Sequence, residues 1–455
     1  MLVVRAPFDG MPPKGQPYVG WFTRIRLYCL LGLTGGGYGL YRLYRYAVYE
    51  WNFRILPEPK VPCVWRNDPD APVKGPVPRI NVNFPSCILA WRNESAAAVR
   101  ESTLAYKEAF AKSGKAESVC KAGQSLGFFS KREPFHQPHF AGQYFFYLSL
   151  VLWQDFIFDG ASCLRHFLVE EESVDFWGRL LEDQRTWPNQ IIAHMNQAVA
   201  VNHVVSTTCA LEKHKVQLLE LPRRHDWFIH ASDAFWLGAT ILRERDPCKA
   251  VTGTRAARQG ARQLQFTMLQ RGWARRLLNV PEITTSLSRS KLTAAFNVSV
   301  VNFEDSPVAQ QVEAIRSSDV VLSVHGAGFT NIAFLRPCAI AIEIVPFALG
   351  VPPNAHYFGV LARSVGALHY TWVAEQQNSP LIPDALLDGG YDCKPIYNKL
   401  PSDVYKGFNA CYLDRYCRAC CKLTAISVNT TRLDGVLAKA LADRQSCLAS
   451  HPLYA

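Results

Sequence analysis

The sequence has few of the features that mark unstructured or membrane-embedded chains. Charged residues make up only 19% of its 455 residues while hydrophobic residues reach 49%, which excludes intrinsic disorder and collagen-like structure. Long uncharged runs are also scarce, since the one membrane candidate covers the 15 residues 27–41 and a spanning helix needs about 20. A polytopic membrane protein is therefore excluded, and the length predicts two or three domains with full cores.

Basic residues exceed acidic ones by 11, and the excess is concentrated in two stretches. Residues 1–60 hold eight Lys and Arg against three acids, and residues 253–293 hold eight against one. A nucleic-acid binder usually spreads its basic residues over a broad face. The second stretch instead predicts a site for a small phosphorylated ligand, and no nucleic-acid partner is expected.

The N-terminal region predicts a membrane segment followed by a spacer. Residues 27–41 lie between arginines and carry Trp and Tyr at their borders, as in an interfacial belt. Because the run is short, a single signal anchor and an interfacial or non-membrane segment are both open interpretations. Residues 52–80 contain seven prolines, which is typical of a semi-rigid stem.

The cysteine content indicates the cellular compartment in which the protein is expected. Fourteen cysteines are more than a reduced cytosolic protein needs, which favours disulfides and the secretory pathway over buried free thiols. Cys417 and Cys420 have the spacing of half a zinc site, but no second half stands at a suitable distance, so no metal is expected.

Glycosylation sequons begin at Asn93, Asn297 and Asn429, and three sequons are close to the number expected by chance.

From residue 262 onward strand and helix patterns alternate, which predicts a Rossmann-like, nucleotide-handling domain with a parallel sheet. The pattern predicts strands at 264–269, 298–303, 320–324, 339–345 and 369–373, and helices at 281–287, from 307, at 330–335 and at 357–365. Ser306 is the predicted cap of the helix that Pro307 begins. The earlier half is less regular, with an aromatic-rich stretch at 144–158, a helix at 189–205 and strands at 216–219 and 227–229.

A glycine-containing turn, residues 325–331, follows the predicted strand 320–324 and leads directly into a helix. Glycines let backbone N–H groups approach a ligand, and the N-terminus of the helix favours an anion, so the turn predicts a diphosphate site. A tight turn that binds nothing and the oxyanion loop of lipases, which also contains a His-Gly pair, are alternatives. A dinucleotide fingerprint is disfavoured, because Gly326-Ala327-Gly328 is not followed by its third glycine.

Three arginines, Arg271, Arg275 and Arg276, follow the predicted strand 264–269. They are expected at the carboxyl end of the sheet, where open α/β sheets bind ligands. A planar guanidinium contacts phosphate oxygens in pairs, so these residues suit a nucleoside diphosphate leaving group, although a solvated basic loop is possible. Glu343, near the end of its strand, is expected to accept hydrogen bonds from a ribose diol or to cap a neighbouring helix.

These motifs together resemble glycosyltransferase family 61, which includes the EGF-domain O-GlcNAc transferase, a protein O-mannose N-acetylglucosaminyltransferase and plant β-1,2-xylosyltransferases. The resemblance covers residues 262–375 and, more weakly, 405–440, and it rests on the order of the following motifs: Arg275 to Asn279, Phe303 to Ser306, Gln311, Asp319, His325 to Asn331, Ile342 to Ile344, and His369-Tyr370-x-Trp372.

The resemblance implies an α/β, GT-B fold with two Rossmann-like domains facing a cleft. It also implies an inverting, metal-independent transferase that needs no cofactor and moves GlcNAc or a pentose such as xylose from a UDP-sugar to a glycan or glycoprotein acceptor. The implied location is the Golgi or endoplasmic reticulum membrane, with a lumenal catalytic part. The expected domains are a tail and anchor at 1–51, a stem at 52–80, an acceptor-side domain at 81–260, a nucleotide-sugar domain at 261–375 and a Cys-rich segment at 376–455.

The residues that the resemblance places in the donor site are Arg271, Arg275, Arg276, Asn279, His325, Gly326, Ala327, Gly328, Phe329, Thr330, Asn331 and Glu343. The catalytic base is less defined. His194 stands where the family often has an aromatic-His motif, but the acid that should follow is replaced by Asn196 and Gln197. There are three alternatives. His194 is itself the base, or one of the acids Asp155, Asp159, Asp226 and Asp233 is the base, or the protein is an inactive glycan-binding or scaffold protein.

Overall fold

The structure of the chain is a computed structural model, and it describes most residues from 263 onward and parts of the first half. The described residues are 84–97, 99, 126–130, 137–157, 164–169, 187–198, 202–204, 217–219, 227–245, 247–248, 263–289, 296–304, 306–350, 356–387, 391–412, 414–451 and 453–454. The predicted anchor and stem lie outside this set. Within it, no helix combines the length and the apolar character needed to cross a bilayer.

The first half of the chain contains a parallel sheet of four strands with the order β3-β2-β1-β4. Its strands are β1 (Leu126–Ser130), β2 (Leu164–Val169), β3 (Asn202–Val204) and β4 (Gln217–Leu219). The helices described with it are α1 (Gln137–Ile157), α2 (Trp187–Ala198) and α3 (Ala231–Ile241). Because β1 lies between β2 and β4, the order of the strands reverses at β1, as in a doubly wound sheet.

The second sheet has five parallel strands in the order β6-β5-β7-β8-β9. Its strands are β5 (Leu264–Gln270), β6 (Phe296–Asn302), β7 (Val320–Val324), β8 (Ile340–Val345) and β9 (Leu368–Val373). The helices between them are α4 (Val280–Arg289), α5 (Val308–Ser317), the 3-10 helix η1 (Ala327–Phe334) and α6 (His356–Ser364). Every residue of β7 and β8 is buried, as expected for central strands covered on both faces.

The order of the second sheet fixes where a ligand would bind. Strand β5 comes first in this sheet and lies between β6 on one side and β7 on the other, so the direction of winding changes at β5. In doubly wound sheets, ligands bind at the carboxyl ends of the two strands that flank such a change. The loop after β5 and the turn after β7 meet at this edge, and they are the segments that carry the arginines and the glycines.

The strand and helix predictions after residue 262 are confirmed to within a few residues, with two differences. The Ser306 hydroxyl does not cap α5; it donates to the Asn302 carbonyl at 2.8 Å, and the N-cap is Pro307, which has no capping side chain. The helix after the glycines is a 3-10 helix that begins at Ala327 instead of Thr330. The short 3-10 turns bring its first N–H groups closer to the end of β7.

Two predictions in the first half were wrong in extent or type. The helix predicted at 189–205 ends at Ala198, and residues 202–204 form β3. Residues 227–229, predicted as a strand, form bends that lead into α3. The Ile229 N–H donates to the Ser149 hydroxyl at 2.8 Å, so this apolar stretch is satisfied by packing on α1 instead of by a sheet partner.

Helices of the first half pack against the second sheet through aromatic side chains. Phe145 of α1 and Trp187 of α2 both contact the ring of Phe334 in η1, with centroid distances of 5.9 and 6.5 Å. Arg316 of α5 pairs with Glu244, which follows α3, and donates to the Phe235 carbonyl at 3.1 Å. These buried contacts hold α2 beside the carboxyl edge of the second sheet.

The C-terminal segment continues the second sheet's domain. It contains β10 (Leu386–Leu387), β11 (Tyr391–Asp392), α7 (Lys394–Tyr397), α8 (Val404–Tyr412), α9 (Arg415–Cys421) and α10 (Thr430–Ser450). Residues 424–428 run beside the arginine loop: the Arg275 N–H donates to the Thr424 carbonyl at 2.5 Å, and the Leu278 N–H donates to the Ile426 carbonyl at 2.8 Å. The segment therefore forms one wall of the predicted donor site.

Four disulfides among the described residues confirm the prediction of disulfide bonding. They join Cys87 to Cys248, Cys338 to Cys447, Cys393 to Cys420 and Cys411 to Cys417. Cys417 and Cys420, which have the spacing of half a zinc site, belong to two different disulfides. Cys421 is a buried free thiol, and burial raises its pKa to about 12.

Asp319 connects the C-terminal helix to the sheet. This carboxylate is 3% exposed; it accepts from Arg444 of α10 at 2.7 Å, from Arg336 at 3.5 Å and from the Gln265 backbone N–H at 2.9 Å. Arg336 and Arg444 are themselves buried. A buried charge is tolerated when it is paired and hydrogen-bonded, so Asp319 compensates the charges of two arginines at once.

Candidate donor site

The turn after β7 presents backbone donors at the carboxyl edge of the sheet. Gly326 precedes η1 and no side chain caps that helix, so the N–H groups of its first turn have no partner within it. These groups and the dipole of the helix favour an anion at this point. At Gly328 an added Cβ would meet no atom within 4 Å, which leaves open space in front of the turn.

Arg271 and Arg275 converge on the same turn from the loop after β5. A Cβ added to Gly326 would lie 2.9 Å from Nη1 of Arg271 and 3.0 Å from Nη1 of Arg275. Nε of Arg271 donates to the Ala274 carbonyl at 3.1 Å, and Nη1 of Arg275 donates to the His325 carbonyl at 3.0 Å. Among the described residues, no carboxylate pairs with either guanidinium. Two convergent cations without an acidic partner are what a diphosphate requires.

The charge of Arg275 is disfavoured by its surroundings. Burial, and then the charge of Arg271, lower its pKa to about 10. Its backbone has a φ of 59°, in the left-handed region that costs a non-glycine residue on the order of 1–3 kcal/mol. The electrostatic cost of the buried charge and the cost of the left-handed backbone persist only because the surrounding structure imposes them. A bound anion would relieve the electrostatic cost.

Gly326→Ala is expected to weaken UDP binding with little loss of stability. The φ of Gly326 is 166°, which is extended backbone that alanine adopts, but the new Cβ would push both guanidinium groups out of position. Isothermal titration with UDP would measure the effect, for which we expect a loss of at least about tenfold. Gly435→Ala, where an added Cβ meets no atom within 4 Å, is the matched control. Equal affinities of the two variants would contradict this placement of the arginines.

His325, Glu343 and His369 form a continuous hydrogen-bonded row across β7, β8 and β9. Nδ1 of His325 lies 2.5 Å from Oε1 of Glu343, and Nε2 of His369 lies 2.9 Å from Oε2 of the same carboxylate. Glu343 is completely buried. Burial opposes its ionisation, but the hydrogen bonds from the two histidines outweigh this effect and lower its pKa. Glu343 therefore lies behind His325, with both oxygens engaged, instead of facing a ribose.

A cavity of about 320 Å³ lies beside the turn, at the carboxyl ends of β5, β6 and β7. Arg271 and Gly328 line the side towards the predicted diphosphate, and Glu304 lies at the side of β6. Trp187 and Gln190 of α2 form the opposite wall. The volume is of the size typical for small-molecule sites, and residues from both halves of the chain line it.

A chain of buried amide groups joins these walls. The Trp187 indole N–H donates to Asn331 Oδ1 at 3.1 Å, and Asn331 Nδ2 donates to Gln311 Oε1 at 3.0 Å. Gln311 Nε2 in turn donates to the Phe303 and Ser306 carbonyls at 3.2 and 2.7 Å. Because every amide has defined partners, this network fixes the walls of the cavity relative to one another.

The structure thus divides the predicted donor residues by position. Arg271, Arg275, His325, Gly326, Ala327 and Gly328 meet at the turn. Phe329, Thr330 and Asn331 are buried behind it, and Asn279 binds the backbone of Val428 through both ends of its amide, at 2.8 and 2.9 Å. Arg276 is half-buried in the same loop, and its Nε is without a partner in the described structure.

The cation that the sequence patterns missed is Lys422. It follows α9 in the C-terminal segment, and partial burial together with the charges of Arg275 and Arg418 lowers its pKa. Its position near Arg275 depends on the pairing of residues 424–428 with the arginine loop. Lys422 lies 147 residues beyond Arg275 in the sequence, so only a link between distant segments brings the two charges near each other.

Of the candidate bases, His194 lies on α2 one turn beyond Gln190, which lines the cavity. Partial burial and the charge of Arg243 lower its pKa, which favours the neutral imidazole that a base requires. Asp233 is 1% exposed and fully engaged by Arg92, Ser149 and Trp153, so it is a structural residue. The side chain of Asp155 and the residues Asp159 and Asp226 lie outside the described set.

A lipase-type site finds no support at His325-Gly326. Gly123 to Gly127 has the Gly-x-Ser-x-Gly spacing, but a nucleophile elbow places its serine between a strand and the helix that follows. Here Ser125 precedes strand β1.

The sequon residues Asn93, Asn297 and Asn429 are all exposed, although Asn429 also caps α10 by accepting from the Arg432 N–H at 3.0 Å.

Comparison with known proteins matches this region to one family. The family model described as Glycosyltransferase 61 matches residues 181–342, from before α2 to within β8. The β-1,2-xylosyltransferase XAX1 of Oryza sativa subsp. japonica is 32% identical over 117 residues, which are 25% of this chain and 20% of that protein.

Two further relatives have related names. Protein O-linked-mannose β-1,4-N-acetylglucosaminyltransferase 2 of Tetraodon nigroviridis is 28% identical over 130 residues, 28% of this chain and 22% of that protein. The β-1,2-xylosyltransferase XYXT1 of Oryza sativa subsp. japonica is 26% identical over 155 residues, 33% of this chain and 32% of that protein. The matched segments thus span a third or less of these relatives. Residues 181–342, which include α2, both arginines and the glycine turn, are thus similar to glycosyltransferase family 61, the family that the motifs of the sequence resemble.

Proposed function

We propose that the protein is a glycosyltransferase that moves a sugar, GlcNAc or a pentose such as xylose, from a UDP-sugar to a glycan or glycoprotein acceptor. The observation that carries this proposal is a pair of guanidinium groups to which the described residues offer no acidic partner. They meet the N-terminus of η1 at the point where the winding of the second sheet changes. This arrangement suits a diphosphate that must leave with negative charge. All three matched relatives are named as transferases of a sugar.

The proposed architecture is of the GT-B type, with two Rossmann-like domains and a cleft between them. It is supported by the two parallel sheets, each with strand order reversing at its first strand. The cavity walls support it as well, since Trp187 and Gln190 come from the first half and Arg271 from the second. In such a layout the acceptor would approach from the side of α2, towards a donor held on the second sheet.

The proposed reaction is an inverting displacement without a metal. The acceptor oxygen attacks the anomeric carbon of the sugar while the bond from that carbon to the phosphate oxygen breaks, and a base takes the proton of the acceptor hydroxyl. Arg271, Arg275 and the N–H groups of η1 stabilise the departing diphosphate. His194 is the proposed base, because it lies on α2 one turn beyond Gln190, which lines the cavity, and its pKa is lowered.

We also propose that the protein works in the lumen of the Golgi or endoplasmic reticulum and is held to its membrane by residues 27–41. The support for the compartment is the set of four disulfides, which persist in oxidising compartments. The support for the anchor is the sequence pattern alone.

Purified full-length protein is expected to release UDP from one UDP-sugar when offered a mixed glycan and glycopeptide acceptor pool. The measurement is UDP release across a donor panel, with and without EDTA. Release from one donor despite EDTA would support a metal-independent transferase and name its sugar. Release abolished by EDTA would overturn the proposed mechanism, and absence of UDP binding by calorimetry would overturn the proposed donor site.

The base has a separate test. His194→Ala is expected to lower kcat by about a hundredfold or more, within the range for general acid–base catalysis. UDP affinity should be unchanged, because the substitution leaves Arg271, Arg275 and the N–H groups of η1 in place. Full turnover by His194→Ala would remove His194 as the base. UDP binding without turnover on any acceptor would favour a glycan-binding protein that has lost activity.

A further inference from the structure

Behind the turn, a buried carboxylate joins two imidazole rings that the proposed reaction leaves without a role. Glu343 is fully buried on β8, at the centre of the sheet, and each of its oxygens faces a ring nitrogen of a different histidine. A buried carboxylate in an apolar strand is costly unless it is paired. The flanking residues of β8 are apolar and buried, so hydrophobic packing does not explain why a carboxylate occupies this position.

The geometry defines which nitrogen of His325 is available to a ligand. Nδ1 faces Glu343, so the ionised carboxylate holds a proton on Nδ1, and Nε2 donates to a ligand when it carries a second proton. Nε2 has no hydrogen-bond partner in the described part of the chain, and the side chain is 29% exposed. The ring also lies against Phe358 of α6, with centroids 5.4 Å apart. Packing on one side and the carboxylate on another hold the ring in one orientation.

His369 fixes the carboxylate in turn. Its Nε2 donates to the second oxygen of Glu343 at 2.9 Å, and its ring lies against α6 near Gly359. Without this second donor, Glu343 would be free to rotate and would keep a buried, unpartnered oxygen. Two residues on adjacent strands, Glu343 on β8 and His369 on β9, therefore set the direction of Nε2 of His325 at the carboxyl edge of the sheet.

The charged groups around His325 match an anionic ligand. Arg275 contacts the His325 carbonyl, and Arg271 reaches the next residue, Gly326. Glu343 is the one carboxylate that contacts the His325 ring among the described residues, and α6 contributes the uncharged ring of Phe358. A ligand that contacts Nε2 thus enters a site with three basic side chains, whose single negative charge lies buried behind the histidine.

We propose that His325 contacts the leaving diphosphate through Nε2, and that Glu343 and His369 are positioning residues that hold His325 in this orientation. This inference rests on the proposed transferase function. It adds to that function a hydrogen-bonded relay, by which we mean the row from His369 through Glu343 to His325. In the displacement, the electron pair of the breaking bond moves to the phosphate oxygen, and the acceptor proton goes to the base. His325, protonated on both nitrogens, donates a hydrogen bond from Nε2 to that oxygen and keeps its proton.

Paired substitutions separate the two ends of each histidine. The amide nitrogen of asparagine lies near the Nδ1 position and that of glutamine near the Nε2 position. His325→Asn therefore keeps the hydrogen bond to Glu343 but loses the contact with the diphosphate. His369→Gln keeps the hydrogen-bond donor that Glu343 requires, whereas His369→Leu removes that donor. Tyr370→Phe is the matched control, because it removes a hydrogen bond to Asp443 from the other face of the same strand.

We expect His325→Asn and His369→Leu to lower kcat by between about tenfold and a hundredfold, with KM for the UDP-sugar changed less. His369→Gln and Tyr370→Phe should stay within about threefold of the wild type. Wild-type kcat in folded His369→Leu, or equal losses in His369→Leu and His369→Gln, would overturn the relay.

The ring nitrogens provide a readout that does not depend on turnover. In protein labelled with ¹⁵N-histidine, the His325 signals, assigned by their loss in His325→Asn, should show a protonated Nδ1 in the wild type and change in Glu343→Gln. A wild-type Nδ1 without a proton would reject the relay even in an active enzyme. Failure of the wild type to bind UDP would instead reject the proposed function, and this inference with it.

Discussion

Arg275→Ala is expected to weaken UDP binding by about 1.5–3 kcal/mol, the range for hydrogen bonds to charged groups, or between about tenfold and a hundredfold. Arg275 shares the turn at Gly326 with Arg271, and its charge is opposed by burial and by its neighbour until an anion arrives. The fold should survive, because the side chain contacts one backbone carbonyl, that of His325, and no carboxylate. Isothermal titration with UDP measures the effect.

The control for Arg275→Ala is Arg289→Ala, which removes an equal charge from the exposed end of α4. A loss of affinity in Arg289→Ala as large as that in Arg275→Ala would mean that general electrostatic attraction, and not contact, holds UDP. Raising the salt concentration adds a second criterion, because long-range attraction is screened far more than a contact in a partly buried site.

Asp319→Asn is expected to lower the free energy of unfolding by about 3–5 kcal/mol, the cost of breaking a buried ion pair on one side. The substitution would leave Arg336 and Arg444 buried without their common carboxylate. It would also weaken the acceptor for the Gln265 N–H, which begins β5. Urea unfolding followed by tryptophan fluorescence would measure the change.

Glu313→Gln provides the comparison for Asp319→Asn, since it removes a carboxylate from an exposed position of α5 and should change the unfolding free energy by less than about 0.5 kcal/mol. A similar small effect for Asp319→Asn would show that Arg336 and Arg444 are solvated and that Asp319 does not connect α10 to the sheet. UDP affinity measured below the unfolding range should be retained in both variants.

The sequence predicted the second sheet well because its two central strands, β7 and β8, are almost wholly apolar and its helices have ordinary boundaries. Val320–Val324 and Ile340–Val345 are buried throughout. Such strands form continuous apolar runs, so they could be recognised without deciding which face of each strand is buried. The first sheet was harder, because β3 and β4 are three residues long. Such short strands carry no periodicity, and the apolar residues 227–229 gave the same local signal without being a strand.

At the site, the sequence predicted the residues that local motifs carry and missed the functions that depend on distant partners. The arginines and the glycine turn follow their strands directly, so the rule for the carboxyl ends of strands placed them. Glu343 was expected to accept from a ribose diol or to cap a neighbouring helix, because nothing local shows that His325 and His369 occupy both of its oxygens. Lys422 was missed for the same reason.

The pairing of residues 424–428 with the arginine loop determines when the donor site can exist during biosynthesis. The backbone bonds from Arg275, Arg276 and Leu278 reach partners about 150 residues later in the chain, and the adjacent α9 is joined by disulfides to Cys393 and Cys411. Although chains generally fold from the N-terminus as they are made, the arginine loop gains these backbone partners only after the last tenth of the chain has been made. A premature stop codon before residue 424 would therefore remove donor binding while leaving every residue of the arginine loop and the glycine turn in the product.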